Sequence, residues 1–167
     1  DYDRPLVPNT LDREFGTETP GSAWCADITY IPTASGWVYL AAIIDLATRL
    51  IVGWSMATHM RAELVENALV HALGWRKPAG RLIHHSDRGV QYTSKAFVQL
   101  LELHGIEGSM SRKGNCWDNA PMESFFGTFK HEVGDTSADL QDARQSAFDY
   151  QCFYNRERRH STLNNLS

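Results

Sequence analysis

The sequence is short of cysteine, of long apolar runs and of positive charge. Its three cysteines, Cys25, Cys116 and Cys152, are far apart and form no Cys-x-x-Cys pair. That spacing argues against a structural zinc site and favours free thiols in a reducing compartment. No segment reaches the roughly 18 consecutive apolar residues of a membrane-spanning helix, so we expect no membrane association.

The scarcity of positive charge also restricts the function. The chain has 16 Lys and Arg residues against 20 Asp and Glu residues, which gives a net charge of −4. A domain that binds DNA unaided is usually basic, because neutralising phosphates supplies most of the affinity. The composition therefore weighs against a stand-alone DNA-binding domain. It is compatible with a core whose carboxylates hold metal ions.

The 167 residues have the usual length of one domain. Proline and glycine interrupt residues 1–22, which we interpret as a linker remnant, and residues 23–167 are expected to form the folded core. The apolar pattern predicts strands at 24–31, 37–44, 50–55, 82–85 and 107–110, and helices near 64–73, 94–104, 121–132 and 138–155. This order predicts an α/β fold, a five-stranded mixed sheet flanked by helices.

Local signals add three details to this pattern. Pro32 is expected to end the first strand, and Thr93 or Ser94 to cap the second helix. The polar, turn-rich residues 111–119 predict a mobile loop ahead of the third helix.

Three acids stand where metal ligands are useful, although each also has an ordinary structural explanation. Asp27 interrupts an otherwise uncharged strand, where it is either a ligand or bonded to neighbouring backbone. Asp87 follows a strand, either as a ligand or as a turn aspartate before Gly89. Glu123 opens a helix, where an acid also suits the helix dipole. Chemistry on phosphodiesters needs such acids to converge on metal ions from distant parts of the chain.

The helix that begins near Pro121 has two distinct faces. Glu123, Gly127 and Lys130 share one face at helical spacing. An apolar stripe lies beside it and is expected to pack on the core; it comprises Met122, Phe125, Phe126, Phe129 and Val133. Gly127 leaves the polar face open to a substrate, and Lys130 is placed to reach a phosphate or a carboxylate.

The sequence segments around the acids form six motifs in a fixed order. They are Trp24-x-x-Asp27-Ile28-Thr29-Tyr30-Ile31, the segment from Ile43 to Trp54, His84-His85-Ser86-Asp87-Arg88-Gly89, the segment from Ser109 to Ala120, Glu123-Ser124-Phe125-Phe126 with Lys130, and Tyr154-Asn155-x-x-Arg158-x-His160. Asp87 and Glu123 are separated by 35 residues. These motifs resemble the DDE integrase and transposase catalytic core, in the form found in bacterial insertion-sequence transposases of the OrfB type, which are related to retroviral integrases.

The resemblance implies an RNase H-like fold, as in a retroviral integrase catalytic core, and a two-metal site. Asp27, Asp87 and Glu123 are then the catalytic and metal-binding residues, with Mg²⁺ or Mn²⁺ as cofactor. The implied enzyme is a polynucleotidyl transferase whose first step is endonuclease-like: water nicks the ends of the element, and the freed 3′-hydroxyl is joined to target DNA.

The resemblance also implies partners and a location. These are DNA, both as element ends and as target, a homo-oligomer, and an N-terminal helix-turn-helix region or protein that is absent from this chain. The C-terminal motif is expected to continue past Ser167. The implied location is the bacterial cytoplasm, in association with the nucleoid.

Further charged residues have more than one explanation. The candidate DNA contacts are Lys130, Arg112, Lys113, Arg158 and His160, and the alternative for each is a solvated surface side chain. Two reserve acids have structural explanations: Asp45 is expected to shape a turn with Arg49, and Asp118 to cap the third helix.

Two other functions stay open on the sequence. Another RNase H-like nuclease, such as a junction resolvase or ribonuclease H, would share the fold, because one fold hosts many activities. A non-catalytic DNA-binding or assembly module would share the general shape, although it would have no need of the three acids.

Overall fold

The computed structural model describes residues 7–78, 80–113 and 115–157. The elements in these ranges follow the predicted order. They are β1 (Ala23–Thr33), β2 (Gly36–Asp45), β3 (Ile51–Ala57), α1 (Ala62–Trp75), β4 (Ile83–Ser86), α2 (Lys95–Leu103), β5 (Glu107–Met110), a short 3₁₀ helix (Cys116–Asn119), α3 (Ala120–Val133) and α4 (Leu140–Arg156).

The strands form one sheet in the order β3-β2-β1-β4-β5. β1, β2 and β3 are antiparallel neighbours, whereas β4 and β5 run parallel to β1, which confirms the predicted mixed sheet. The pairing of β1 with β4 covers only Ala23 to Cys25. From Asp27 onward, β1 therefore has no strand beside it on the β4 side within the described ranges.

The side chains of β1 alternate in direction, so this strand contributes to two cores, one on each face of the sheet. Cys25 and Ile31 point into a core with α3 and α4, whereas Trp24 and Ala26 point into a core with α1 and α2. The apolar stripe predicted on α3 packs in the first of these cores, with Met122, Phe125, Phe126 and Phe129 buried and Val133 partly buried. α3 is thereby fixed on the sheet, with Glu123 on its exposed side.

Two predicted element ends have different outcomes. Ser94 caps α2 as predicted, since its hydroxyl accepts a hydrogen bond from the Phe97 N–H at 3.1 Å. The prediction that Pro32 ends the first strand is wrong, because β1 continues to Thr33 with Pro32 opposite Trp37. Proline is tolerated there because this part of β1 is an edge, where a missing N–H breaks no ladder.

Residues 7–22 contact the core through a few side chains, those of Val7, Leu11 and Phe15. The Leu11 side chain is buried, and its N–H donates to the Ser109 hydroxyl at 3.1 Å. The boundary between residues 22 and 23 stays a prediction. None of the helices in the described ranges combines the length and the apolar character needed to traverse a bilayer.

Gly53 on β3 lies close against helix α1. A Cβ built there would lie 2.4 Å from the Ala68 carbonyl oxygen and 2.6 Å from the Ala72 Cβ, both on α1. We expect Gly53→Ala to lower the free energy of unfolding by about 1–3 kcal/mol, because α1 must shift away from the sheet. Urea unfolding measures this change. Gly74→Ala on α1 is the matched control, since nothing lies within 4 Å of its Cβ position; a Gly53→Ala variant as stable as the parent would contradict the prediction.

Candidate active site

Asp27 lies on β1 just beyond the last residue that pairs with β4. Its Oδ1 accepts a hydrogen bond from the Ile28 N–H at 2.8 Å, and its carboxylate also accepts from the Asn119 side chain. Asn119 in turn accepts from the Cys25 thiol through its Oδ1 at 2.9 Å. A buried chain of polar groups therefore fixes the orientation of Asp27 from the start of α3.

Asp87 is the first residue after β4 and is held by its own turn. Its Oδ1 accepts from the Gly89 N–H at 2.8 Å. A Cβ at position 89 would lie 2.8 Å from that same oxygen and 3.0 Å from the Gln91 Oε1. Glycine is therefore needed there, because any side chain would displace the carboxylate.

The three predicted acids line a single open cleft. Glu123 reaches it from the first turn of α3, Asp27 from β1 and Asp87 from the end of β4. The cleft has a volume of about 590 Å³, and its other lining residues are Arg88, Gly89, Ser111, Arg112, Lys113, Asn115 and Asn119. Sequence reasoning therefore selected acids that the fold brings together.

Electrostatics in the cleft disfavours charge on Asp27. Its pKa is raised to about 7, chiefly by burial and also by the nearby Asp87 and Glu123 carboxylates, whereas the hydrogen bonds from the Ile28 N–H and Asn119 oppose the rise. A divalent cation would relieve both the burial and the repulsion. The donor atoms are carboxylate and amide oxygens, the type that Mg²⁺ and Mn²⁺ prefer. The chemistry of the residues thus fits such an ion.

The side chains are not gathered around one point. No three His, Cys, Asp or Glu side chains in the described residues lie close enough together to hold a metal ion. Asp27 and Asp87 each bond instead to a backbone N–H of their own segment. Like charges repel at short range, so this dispersed arrangement is the expected one for three carboxylates facing each other across an open cleft.

Asp118 sits behind the cleft and is fully buried. Its two oxygens accept from the Arg112 backbone N–H and guanidinium at 2.8–3.0 Å, from Arg13 Nε at 2.7 Å and from Asn9 Nδ2 at 3.1 Å. The hydrogen bonds from Arg112 hold the pKa of the Asp118 carboxyl well below its usual range. The prediction that Asp118 caps the third helix is wrong, because these donors occupy both oxygens and α3 has no side-chain cap.

His85 joins Asp118 to the sheet. Its Nδ1 lies 2.9 Å from the Ser109 hydroxyl and its Nε2 lies 2.7 Å from the Asp118 carbonyl oxygen. Burial lowers the pKa of His85, which favours the neutral ring. Sequence reasoning missed His85 and Arg13 as parts of the site's support, since their partners lie far away along the chain.

The predicted DNA contacts fall in different places. Arg112 and Lys113 line the cleft, although the Arg112 guanidinium is also bonded to Asp118 and Asp12. Lys130 lies away from the cleft, with its Nζ 4.8 Å from the centre of the Tyr30 ring. Arg158 and His160 lie outside the described residues.

The reserve acid Asp45 has the structural role predicted for it. Its Oδ1 accepts from the N–H groups of Ala47 and Thr48, and its backbone oxygen accepts from the Arg49 N–H. Asp45 therefore shapes the turn between β2 and β3 and does not line the cleft.

Comparison with known proteins gives close relatives. Two family models described as "Integrase core domain" match residues 17–116 and 104–167. The chain is 46% identical over 169 residues to an uncharacterized 31 kDa protein of insertion element IS600 from Shigella sonnei. It is 44% identical over 166 residues to the transposase InsF for insertion sequence IS3A from Escherichia coli (strain K12). These alignments cover 99% and 98% of the chain but only 62% and 58% of the relatives.

Solved structures show the same fold at low identity. The HTLV-2 integrase catalytic core domain in complex with magnesium has a TM-score of 0.67 at 15% identity, covering 86% of this chain and 92% of that one. The catalytic core domain of BIV integrase has a TM-score of 0.63 at 15% identity, covering 83% and 86%. These likenesses confirm the predicted RNase H-like fold of a retroviral integrase catalytic core. Since the first family model alone matches more than half of the residues, the chain belongs to the integrase core domain family.

Proposed function

We propose that this chain is the catalytic core of a DNA transposase, with Asp27, Asp87 and Glu123 as its catalytic residues. The observation that carries the proposal is the convergence of these acids, from three separate elements, on one open cleft. The 44% identity to the transposase InsF over 98% of the chain supports it.

Asp27, Asp87 and Glu123 would together hold a pair of divalent ions, Mg²⁺ or Mn²⁺. Ions bound there would neutralise charge on the phosphoryl group and on the attacking and leaving oxygens. The protein's own contribution is orientation. Asn119 directs the Asp27 carboxylate, and Gly89 leaves space for that of Asp87.

The cations of the cleft would bind the DNA backbone. Lys113 lies on the rim, and Arg112 is partly neutralised by Asp118 and Asp12. We propose that the DNA strand is nicked by water and that its 3′-hydroxyl is then joined to target DNA. Arg158, His160 and Lys130 remain candidate contacts along the same DNA.

The chain spans about 60% of the curated relatives' length, so the activity of a whole transposase involves more than this core. We propose that a helix-turn-helix region or protein selects the element ends, and that two or more copies pair them. A transposase of this type would work in the bacterial cytoplasm, at the nucleoid.

The joining reaction tests this function against the other RNase H-like nucleases. A pre-nicked donor end incubated with the chain, target DNA and Mn²⁺ is expected to yield joined product. Asp27→Asn, Asp87→Asn and Glu123→Gln should each lower the yield by about 100-fold or more, because each removes a charge worth several kcal/mol in the transition state. Glu102→Gln, an exposed acid on α2, is the control and should keep full activity.

Two results would decide against the proposal. Hydrolysis of DNA without joining would favour another nuclease of this fold. Equal activity of the parent and all three acid variants would leave only a non-catalytic DNA-binding or assembly module.

The raised pKa of Asp27 predicts a pH-dependent stability in metal-free buffer. The folded protein holds this proton up to about pH 7, whereas the unfolded chain loses it near the ordinary aspartate pKa of 3.8. The contribution of Asp27 to stability should therefore fall as pH rises from about 4 to 7 and then level off. Asp27→Asn keeps the hydrogen bond from Ile28 and removes the charge, so it should gain up to about 4 kcal/mol over the parent across that window.

Urea unfolding at pH 4.5, 6 and 8 in a chelator measures this difference. Glu102→Gln, at an exposed acid on α2, is measured in the same way as the control. An Asp27→Asn variant that gains no stability relative to the parent between pH 4.5 and 8 would contradict a disfavoured charge at Asp27.

Metal binding should offset the loss of stability that the charge on Asp27 causes. At about ten times its dissociation constant, Mn²⁺ is expected to stabilise the parent by about 1.4 kcal/mol, which is a rise of a few degrees in Tm. The rise should shrink at pH 5.5, where protons compete for the acids, and vanish in Asp27→Asn. Calorimetric melts measure it; an unchanged midpoint at millimolar Mn²⁺ and pH 8 would speak against a metal site at these residues.

A further inference from the structure

The outer half of the β1–β2 hairpin carries two large aromatic side chains in contact. Tyr30 is 56% exposed and Trp37 is 54% exposed, and their ring centres lie 5.1 Å apart at an interplanar angle of 84°. This is the edge-to-face geometry that aromatic pairs prefer. Two half-exposed aromatic rings held in this way form a surface that suits a flat, stacking ligand.

A cation completes this surface. The Lys130 Nζ lies 4.8 Å from the centre of the Tyr30 ring, and Lys130 forms no ion pair with any of the residues described. Because Lys130 covers the Tyr30 ring and Tyr30 supports Trp37, the Trp37 indole is the ring left available for stacking. His131 also lines the pocket, and Asp135 is its acidic member.

The pocket between the hairpin and the end of α3 is held together by backbone bonds. The N–H groups of Ala34 and Ser35 at the hairpin tip donate to the oxygens of Ser137 and Ala138, at 3.1 and 3.0 Å. The pocket has a volume of about 450 Å³, and the buried Ile31 and Phe129 contribute to its lining. These hydrogen bonds therefore hold the hairpin that carries the aromatic rings in place beside the end of α3.

The pocket lies on β1 and α3, the two elements that also carry Asp27 and Glu123. Tyr30 is three residues beyond Asp27 on β1, which corresponds to about 10 Å along a strand. Lys130 is seven residues beyond Glu123 on α3, which is also about 10 Å along a helix. A DNA strand with its reacting phosphate in the cleft would reach the pocket within a few nucleotides.

We propose that Trp37, supported by Tyr30, stacks on an unpaired base of the DNA strand that enters the cleft, while Lys130 binds the adjacent phosphate. The proposal rests on the proposed function and adds a subsite to it. Nucleic acid is favoured as the occupant because single strands are bound by aromatic rings combined with cations. Lys130 has no ion pair among the residues described, and the pocket lies on β1 and α3, the elements that also carry Asp27 and Glu123; both observations fit a polyanion.

Trp37→Ala tests the subsite, with Trp75→Ala as a matched control because Trp75 on α1 is also 54% exposed. Binding is measured in Ca²⁺ to two DNA ends, one fully paired and one with an unpaired 2-aminopurine near the nick. Trp37→Ala should weaken binding to the unpaired end by about 10-fold and leave the paired end within about twofold. It should also remove the quenching of 2-aminopurine fluorescence, which Trp37→Phe should largely keep. Trp75→Ala should change neither readout.

Lys130→Gln gives a second readout of the same subsite. It should lower the slope of log affinity against log salt by about one for the unpaired end, as expected for the loss of one phosphate contact. Thermal melts of each variant establish that it is folded. If Trp37→Ala does not fold, the same binding and quenching measurements are made on Trp37→Phe.

Several outcomes would overturn the subsite. They are equal binding of Trp37→Ala and the parent to the unpaired end, equal losses on both DNA ends, and a change in sedimentation that makes the hairpin a contact between copies of the chain. The proposed function fails separately, when the parent gives no metal-dependent joined product.

Discussion

The early end of the pairing between β1 and β4 is the constraint on which the rest of the structure depends. Only three residues of β1, Ala23 to Cys25, pair with β4. Beyond them the two parallel strands part, and the carboxyl end of β4 opens a crevice of the kind in which α/β sheets bind ligands. Asp27 lies on one side of this parting and Asp87 on the other, and α3 brings Glu123 across the gap. The same parting leaves the outer half of β1 as an edge, which tolerates Pro32 and exposes Tyr30.

Asp27 and Asp118 show how differently the fold treats negative charge. Asp118 accepts hydrogen bonds from two guanidinium groups, and these hold its pKa low. Asp27 is half-buried beside two other carboxylates and has only an N–H and an amide as donors, so its pKa is raised. The first arrangement stabilises the loop that leads into α3. The second costs stability at neutral pH and suits a site that binds a cation.

Much of the fold was predictable because its signals are local. Strand alternation, the stripe Met122, Phe125, Phe126 and Phe129, and the Ser94 cap all depend on neighbours a few residues away. The role of Asp118 was predicted wrongly, because a capping signal is local whereas its partner Arg13 lies 105 residues away. Pro32 was misassigned for a similar reason, since only the pairing of β4 decides which part of β1 is an edge.

The sequence by itself determined the element order, the fold class and the three acids that were singled out, because periodicity and motif spacing are written along the chain. It left each acid with a structural alternative of its own, since a side chain's neighbours across space are not local information. Only the tertiary structure decided that Asp27, Asp87 and Glu123 line the same cleft, that Asp118 binds Arg13 and Arg112, and that Lys130 lies over Tyr30. The physical reason is that burial and charge pairing act between segments which only folding brings together.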